Sequence, residues 1–183
     1  MERRKTGIDL YKALVKQLMD ANYIADQNQV VPCTDEDIVE LERRFRVSLP
    51  SEYKSFLKVM GREAGDFLND GGWRYPLNWI VRGVTCLLED NQSSFRLSAT
   101  EFAFLHRDNF FLYFDTVSGD DPPVRIFMDG EKQPRDFFPS FSKWLTVVVE
   151  GEVAISNESN RLRQLRLERA QTEPEGLKES ELE

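Results

Sequence analysis

The stretch Thr34-Asp35-Glu36-Asp37-Ile38-Val39-Glu40-Leu41-Glu42-Arg43-Arg44-Phe45, followed shortly by Leu49-Pro50-Ser51-Glu52-Tyr53-Lys54-Ser55-Phe56-Leu57, decides how this chain is read. Thr34 offers a side-chain oxygen to the first turn of a helix over 34–46, and Asp37 stands three residues on, in capping-box position. Asp35, Glu36 and Asp37 crowd the positive end of the helix dipole, and Arg43, Arg44 and Arg46 crowd the negative end. Ile38, Leu41 and Phe45 make the apolar stripe. Pro50 suits the start of a second helix, where its missing N–H costs nothing. Tyr53, Phe56, Leu57 and Met60 then recur at helical spacing, and Gly61 is expected as a left-handed cap.

Working outward, residues 6–21 carry Ile8, Tyr11, Leu14, Val15, Leu18 and Met19 at helical spacing, with Lys12, Lys16 and Asp20 facing away. Residues 22–33 read as a connection. Gly61, Gly65, Gly71 and Gly72 mark a loop over 61–72. From residue 73 the pattern turns strand-like. Leu77 to Val81 and Val84 to Leu88 are short runs rich in β-branched and aromatic residues, and Trp79 is expected to be buried there. After a polar loop over 89–100, Glu101 to His106 and Phe110 to Asp115 flank the hairpin turn Arg107-Asp108-Asn109. Val117 to Pro123 is a turn-rich loop, Val124 to Met128 a strand, and Asp129-Gly130 a turn. Ser140 caps a closing helix with Phe141, Trp144, Leu145 and Val148 on its stripe. Past residue 156 the chain is polar, expected as a frayed helix and then disorder. Helices followed by a strand meander and a helix predict an α+β fold. N-terminal helices pack on a largely antiparallel sheet of about five to six strands, closed by a C-terminal helix. The expected organisation is an N-terminal helix and connection over 1–32, a domain over 33–150, and a tail over 151–183.

The 183 residues hold 24 Lys+Arg against 32 Asp+Glu, a net charge of −8. That balance disfavours direct binding of nucleic acid or an anionic membrane and favours a protein partner with a basic surface. No apolar signal core and no membrane-spanning run are found, and Cys33 and Cys86 lack metal-site or redox spacing, so a cytoplasmic chain with two reduced thiols is expected. No phosphate-cradling glycine motif occurs, and one His with two separated Cys cannot assemble a zinc site, so no cofactor or metal is expected. His106 stands beside a turn with no nucleophile motif around it, so no catalytic residue is assigned. The segment 108–136 carries seven acids against three bases. Asp108, Asp115, Asp120, Asp121, Asp129 and Glu131 are therefore read as an acidic rim that meets a basic partner, with Trp73 and Tyr75 as apolar anchors.

Together these stretches resemble the SUKH superfamily, the group that includes the yeast cell-wall-assembly regulators. An acidic-capped helix precedes Leu49-Pro50-Ser51-Glu52-Tyr53 and an apolar pair, Phe56-Leu57. Downstream, Phe110 to Asp115, then Asp121-Pro122-Pro123-Val124, then Ser140-Phe141-Ser142-Lys143-Trp144-Leu145 look like the superfamily's second half. The resemblance covers roughly 33–150. It departs after Met60, where Gly61-Arg62-Glu63-Ala64-Gly65 stands in place of Asn-Gly-Gly. It implies an α+β domain without known catalytic residues. Bacterial members are mostly immunity proteins that bind and block a toxin, often a nuclease; fungal relatives are regulators and interaction hubs. The expected function is therefore toxin neutralisation by occlusion, the alternative a regulatory scaffold, and the third a metal-assisted hydrolase built on the acidic cluster.

Overall fold

A computed structural model describes residues 7–67, 73, 75 and 77–172. The glycines at 71 and 72 and the acidic segment 173–183 lie outside the described residues. In chain order the elements are α1 (Gly7–Asp20), β1 (Val30–Val31), α2 (Asp35–Phe45), α3 (Ser51–Met60), β2 (Glu63–Ala64), α4 (Asn78–Asp90), β3 (Glu101–Arg107), β4 (Phe110–Asp115), β5 (Val124–Met128), β6 (Arg135–Phe138) and α5 (Phe141–Thr172), with a single 3-10 turn at Gln27–Gln29. The four strands β3-β4-β5-β6 form an antiparallel meander in sequence order, and β1 and β2 pair separately. The fold is α+β.

The capping box at α2 is closed on both sides. Thr34 Oγ1 accepts the Asp37 N–H at 3.2 Å, and Asp37 Oδ2 accepts the Thr34 N–H at 2.8 Å. Arg62 grips the same carboxylate with two N–H donors, at 2.9 and 2.6 Å. Burial pushes the Asp37 carboxyl up, but the Thr34 N–H and the Arg62 guanidinium outweigh it and hold the group below its ordinary value of 3.8.

α3 places Tyr53 at the centre of the core. Its ring meets Phe56, Phe102, Phe104, Phe114 and Phe141 with centroids 5.1 to 6.1 Å apart. Alternation along β4 sends Leu112 and Phe114 toward α3 and α5, and Phe111 and Tyr113 to the opposite face. That second face is covered by α4 and by Phe95, which lies against Tyr113 and Phe127. The sheet is thus buried on both sides, which is why Phe111, Leu112, Tyr113 and Phe114 are all buried in succession. α1 joins the same core through Tyr11, Leu14 and Leu18. Glu52 fixes its start, accepting the Gly7 N–H at 2.9 Å and the Tyr11 hydroxyl at 3.0 Å.

Several expectations are corrected. The runs at 77–81 and 84–88 are not strands but one helix, α4. Ile80, Val84, Leu87 and Leu88 are its buried stripe, a 3.6-residue period that local β-propensity masked. Trp79 falls off that stripe and is 71% exposed rather than buried. Among the described residues the main sheet has four strands rather than five to six, because β1 and β2, two residues each, pair with one another apart from it. Gly61 is not a left-handed cap: its φ is −74°. It is glycine because an added Cβ would sit 2.7 Å from both Cys33 Sγ and the Leu57 carbonyl oxygen. The left-handed cap is at Arg46, φ 56°, closing α2. The helix that follows Ser140 and the helical signature past residue 156 form one element. α5 continues through 32 residues to Thr172, and its residues 157–168 are exposed. Ser156 Oγ donates to the Ala21 carbonyl at 2.8 Å, tying α5 to the end of α1.

Four substitutions check this architecture. Tyr53→Ala should cost about 3–5 kcal/mol by chemical denaturation, the range for deleting a buried aromatic, whereas Trp79→Ala should cost under about 0.5 kcal/mol, as an exposed substitution does. Gly83→Ala should destabilise by about 1–3 kcal/mol, because its Cβ would lie 2.5 Å from the His106 ring, where α4 meets β3. Asp37→Asn should cost about 1.5–3 kcal/mol at neutral pH, the range for hydrogen bonds to a charged group, since the Arg62 guanidinium loses its carboxylate. The sign of its pH dependence is fixed. A carboxyl depressed in the folded state stabilises above 3.8, and that contribution is lost as pH falls through the lower folded value. The acid limb of a stability–pH curve should therefore flatten in Asp37→Asn.

Candidate functional site

The meander distributes the acidic residues to its two ends. β4 is six residues long, so those ends lie about 17–20 Å apart at the usual strand rise. Asp108, Asp129 and Glu131 fall at the end made by the β3–β4 and β5–β6 turns; Asp115, Asp120 and Asp121 fall at the other, in and beside the β4–β5 loop. The sequence-level rim is thus two separate acidic ends.

At the β4–β5 end much of the carboxylate chemistry serves the fold. Asp121 accepts the Ser142 N–H at 2.9 Å and the Ser142 hydroxyl, capping α5. Asp115 Oδ1 accepts the Val117 N–H at 3.2 Å within its own turn. Asp120 is exposed, and its carbonyl oxygen accepts the Glu52 N–H at 3.0 Å at the start of α3.

The opposite end is different. Asp108 and Asp129 are exposed at the two turn tips, which are joined by a hydrogen bond from the Asp129 N–H to the Asn109 carbonyl at 2.8 Å. The C-terminus of α4 docks on the same place. Asn91 Oδ1 accepts the Gly130 N–H, and Lys132 Nζ donates to the Asn91 carbonyl, both at 2.6 Å. Exposed Glu89 and Asp90 directly precede the latched Asn91, at the C-terminal end of α4. Sequence reasoning missed both, because they were read as the start of a loop rather than the end of a helix. Glu131 is half-buried and paired with Arg135 at 3.2 Å. The free-facing carboxylates of this end are therefore Asp108 and Asp129 with Glu89 and Asp90.

Trp73 is 2% exposed and lies against Phe56 and Phe67, with centroids 5.4 and 6.0 Å away. Tyr75 is half-buried under the Arg62 guanidinium, 4.8 Å from its ring centroid, and its hydroxyl bonds Asp37. Burial first, then Asp37, raises the Tyr75 hydroxyl above its ordinary value. The exposed aromatic of this region is Trp79, in the first turn of α4. An irregular helical stripe was the only signal that could have found it.

His106 is part-buried against Gly83, and burial lowers its pKa despite the opposing pull of Asp108. Cys33 is buried, its thiol pushed up to about 12 chiefly by desolvation, so it is a poor nucleophile; Cys86 is exposed, and both are free. Among the described residues no group of three or more His, Cys, Asp or Glu is arranged to hold a metal ion. Nor, among them, is any helix long and apolar enough to cross a membrane.

A family model described as SMI1 / KNR4 family (SUKH-1) matches residues 32–147. No curated protein matches the chain. The match takes in the capped α2, the Leu-Pro entry to α3, the whole meander and the start of α5, leaving α1 and the long end of α5 outside it. Because it spans more than half of the 183 residues, the chain belongs to the SMI1 / KNR4 family (SUKH-1).

Proposed function

We propose that this chain is a non-catalytic immunity protein that binds a toxin and occludes its working surface. Family membership supports a protein-binding domain of the immunity or regulatory kind. The observation that carries the finer reading is the latched acidic end. Asp108 and Asp129 are exposed at two turn tips joined by the Asp129–Asn109 bond, and Asn91, which directly follows exposed Glu89 and Asp90, is latched to Gly130 and Lys132. A toxin that acts on nucleic acid must present cationic side chains to phosphate, and an acidic patch on a rigid support competes for those side chains and steers fast association. Binding by occlusion asks for no cofactor, metal or membrane, and two free thiols suit a cytoplasmic chain.

The partner is to be captured with the tagged full chain and identified by mass spectrometry, then tested for growth arrest and its relief on co-expression. Asp108→Lys/Asp129→Lys should weaken the complex at least about tenfold and flatten its salt dependence, because rim charges act mainly through association. Unchanged affinity and salt dependence would remove the acidic end as the docking surface. A captured partner that is harmless in cells would replace immunity with the regulatory-scaffold reading.

A further inference from the structure

We propose that the cleft between α1 and α3 is a second docking site, one that takes an acidic amphipathic helix presented by a partner protein. The cleft has a volume of about 710 Å³. Met19 of α1 and Val59 of α3 line it, and Val30 of β1 closes one side. All three are half-buried, so each keeps apolar surface turned to solvent. Lys12 and Lys16 rise from α1 on one wall and Lys58 from α3 on the other. Three ammonium groups face the carboxylates of Asp20 and Asp35 around this cleft, a local excess of positive charge on a chain whose overall charge is −8.

That combination selects its occupant. An apolar floor recognises the leucine-type stripe of an amphipathic helix, as helix-in-groove binding requires. Lys12 and Lys16 stand four residues apart on one helix face, the same interval at which carboxylates repeat along an incoming helix. Lys16 now pairs with Asp20, and Lys58 with Asp35 at 2.6 Å. Those pairs are solvent-exposed, and exposed ion pairs are weak, so a partner's carboxylates can replace them. The charge preference is opposite to that of the latched acidic end, so the two sites take different partners and neither reading depends on the other.

The test uses a fluorescein-labelled peptide of about 14 residues, long enough to form a helix on binding, with leucines at i, i+3, i+4 and i+7 and glutamates between them. It is titrated against the full chain by fluorescence anisotropy, at low salt and at about 0.3 M, where surface charge is screened. Saturable binding that weakens with salt is expected. Lys12→Glu/Lys16→Glu should reduce affinity at least about tenfold, with the thermal melt of the variant reporting its fold. Met19→Gln provides an independent change to the floor and should also weaken binding. Equal affinity for the lysine variant would overturn the proposal. So would equal binding of a control peptide with serine in place of leucine, which would reduce the effect to charge alone. The chain itself carries glutamates at 173, 175, 179, 181 and 183. If changing all five to glutamine tightens peptide binding about tenfold or more, by the arithmetic of removing a competitor, the occupant is the chain's own C-terminal segment and the partner proposal falls.

Discussion

The Tyr53 ring is the constraint around which the rest of this structure is arranged. It is fully buried and meets aromatic rings from its own helix, from β3, from β4 and from α5. Helix and sheet, far apart in sequence, are thereby fixed in one packing geometry. Edge-to-face contacts of this kind add direction to the non-directional gain from burial, since the ring quadrupoles favour particular tilts. The residues on either side extend the constraint outward. Pro50 and Ser51 start α3 so that Tyr53 points at the sheet, and Glu52, one position earlier than Tyr53, points the other way and ties down Gly7 and Tyr11 at the start of α1. The motif Leu-Pro-Ser-Glu-Tyr is therefore a joint between three helices and a sheet.

How much of this was legible follows from where the forces act. α2 was readable because its determinants are local: Thr34, Asp37 and the charged ends lie within a dozen residues. The β3–β4 hairpin and β5 were readable for the same reason, as runs bounded by turn residues. α4 was not, because Trp79, Val81 and Val84 favour strands intrinsically and only the burial of Ile80, Val84, Leu87 and Leu88 against β3 decides for helix. Very short strands such as β1 and β2 carry no pattern of their own; they exist through pairing across more than thirty residues. The excess of carboxylates was legible in composition but its distribution in space was not. Sequence could count the carboxylates between 108 and 136, but not that the sheet would divide them between its ends, nor that Asn91 would add Glu89 and Asp90 to one of them.

That division separates two uses of the same chemistry. Asp37, Glu52 and Asp121 each accept backbone N–H groups at helix starts, so their charges are spent on orphaned donors that would otherwise need another partner. Replacing any of them disturbs the fold before it disturbs binding. Asp108 and Asp129 occupy turn tips whose geometry is held by the Asp129–Asn109 backbone bond and by Asn91 and Lys132, not by their own carboxylates. Their side chains can change without touching the Tyr53 cluster or the helix caps. A scaffold built this way can hold its core constant while its turn tips vary in charge, which is the physical requirement for one fold to meet many different partners. Substitutions at the turn tips should then alter which partner is bound, while substitutions at Asp37, Glu52 or Asp121 should alter how much folded protein there is to bind it.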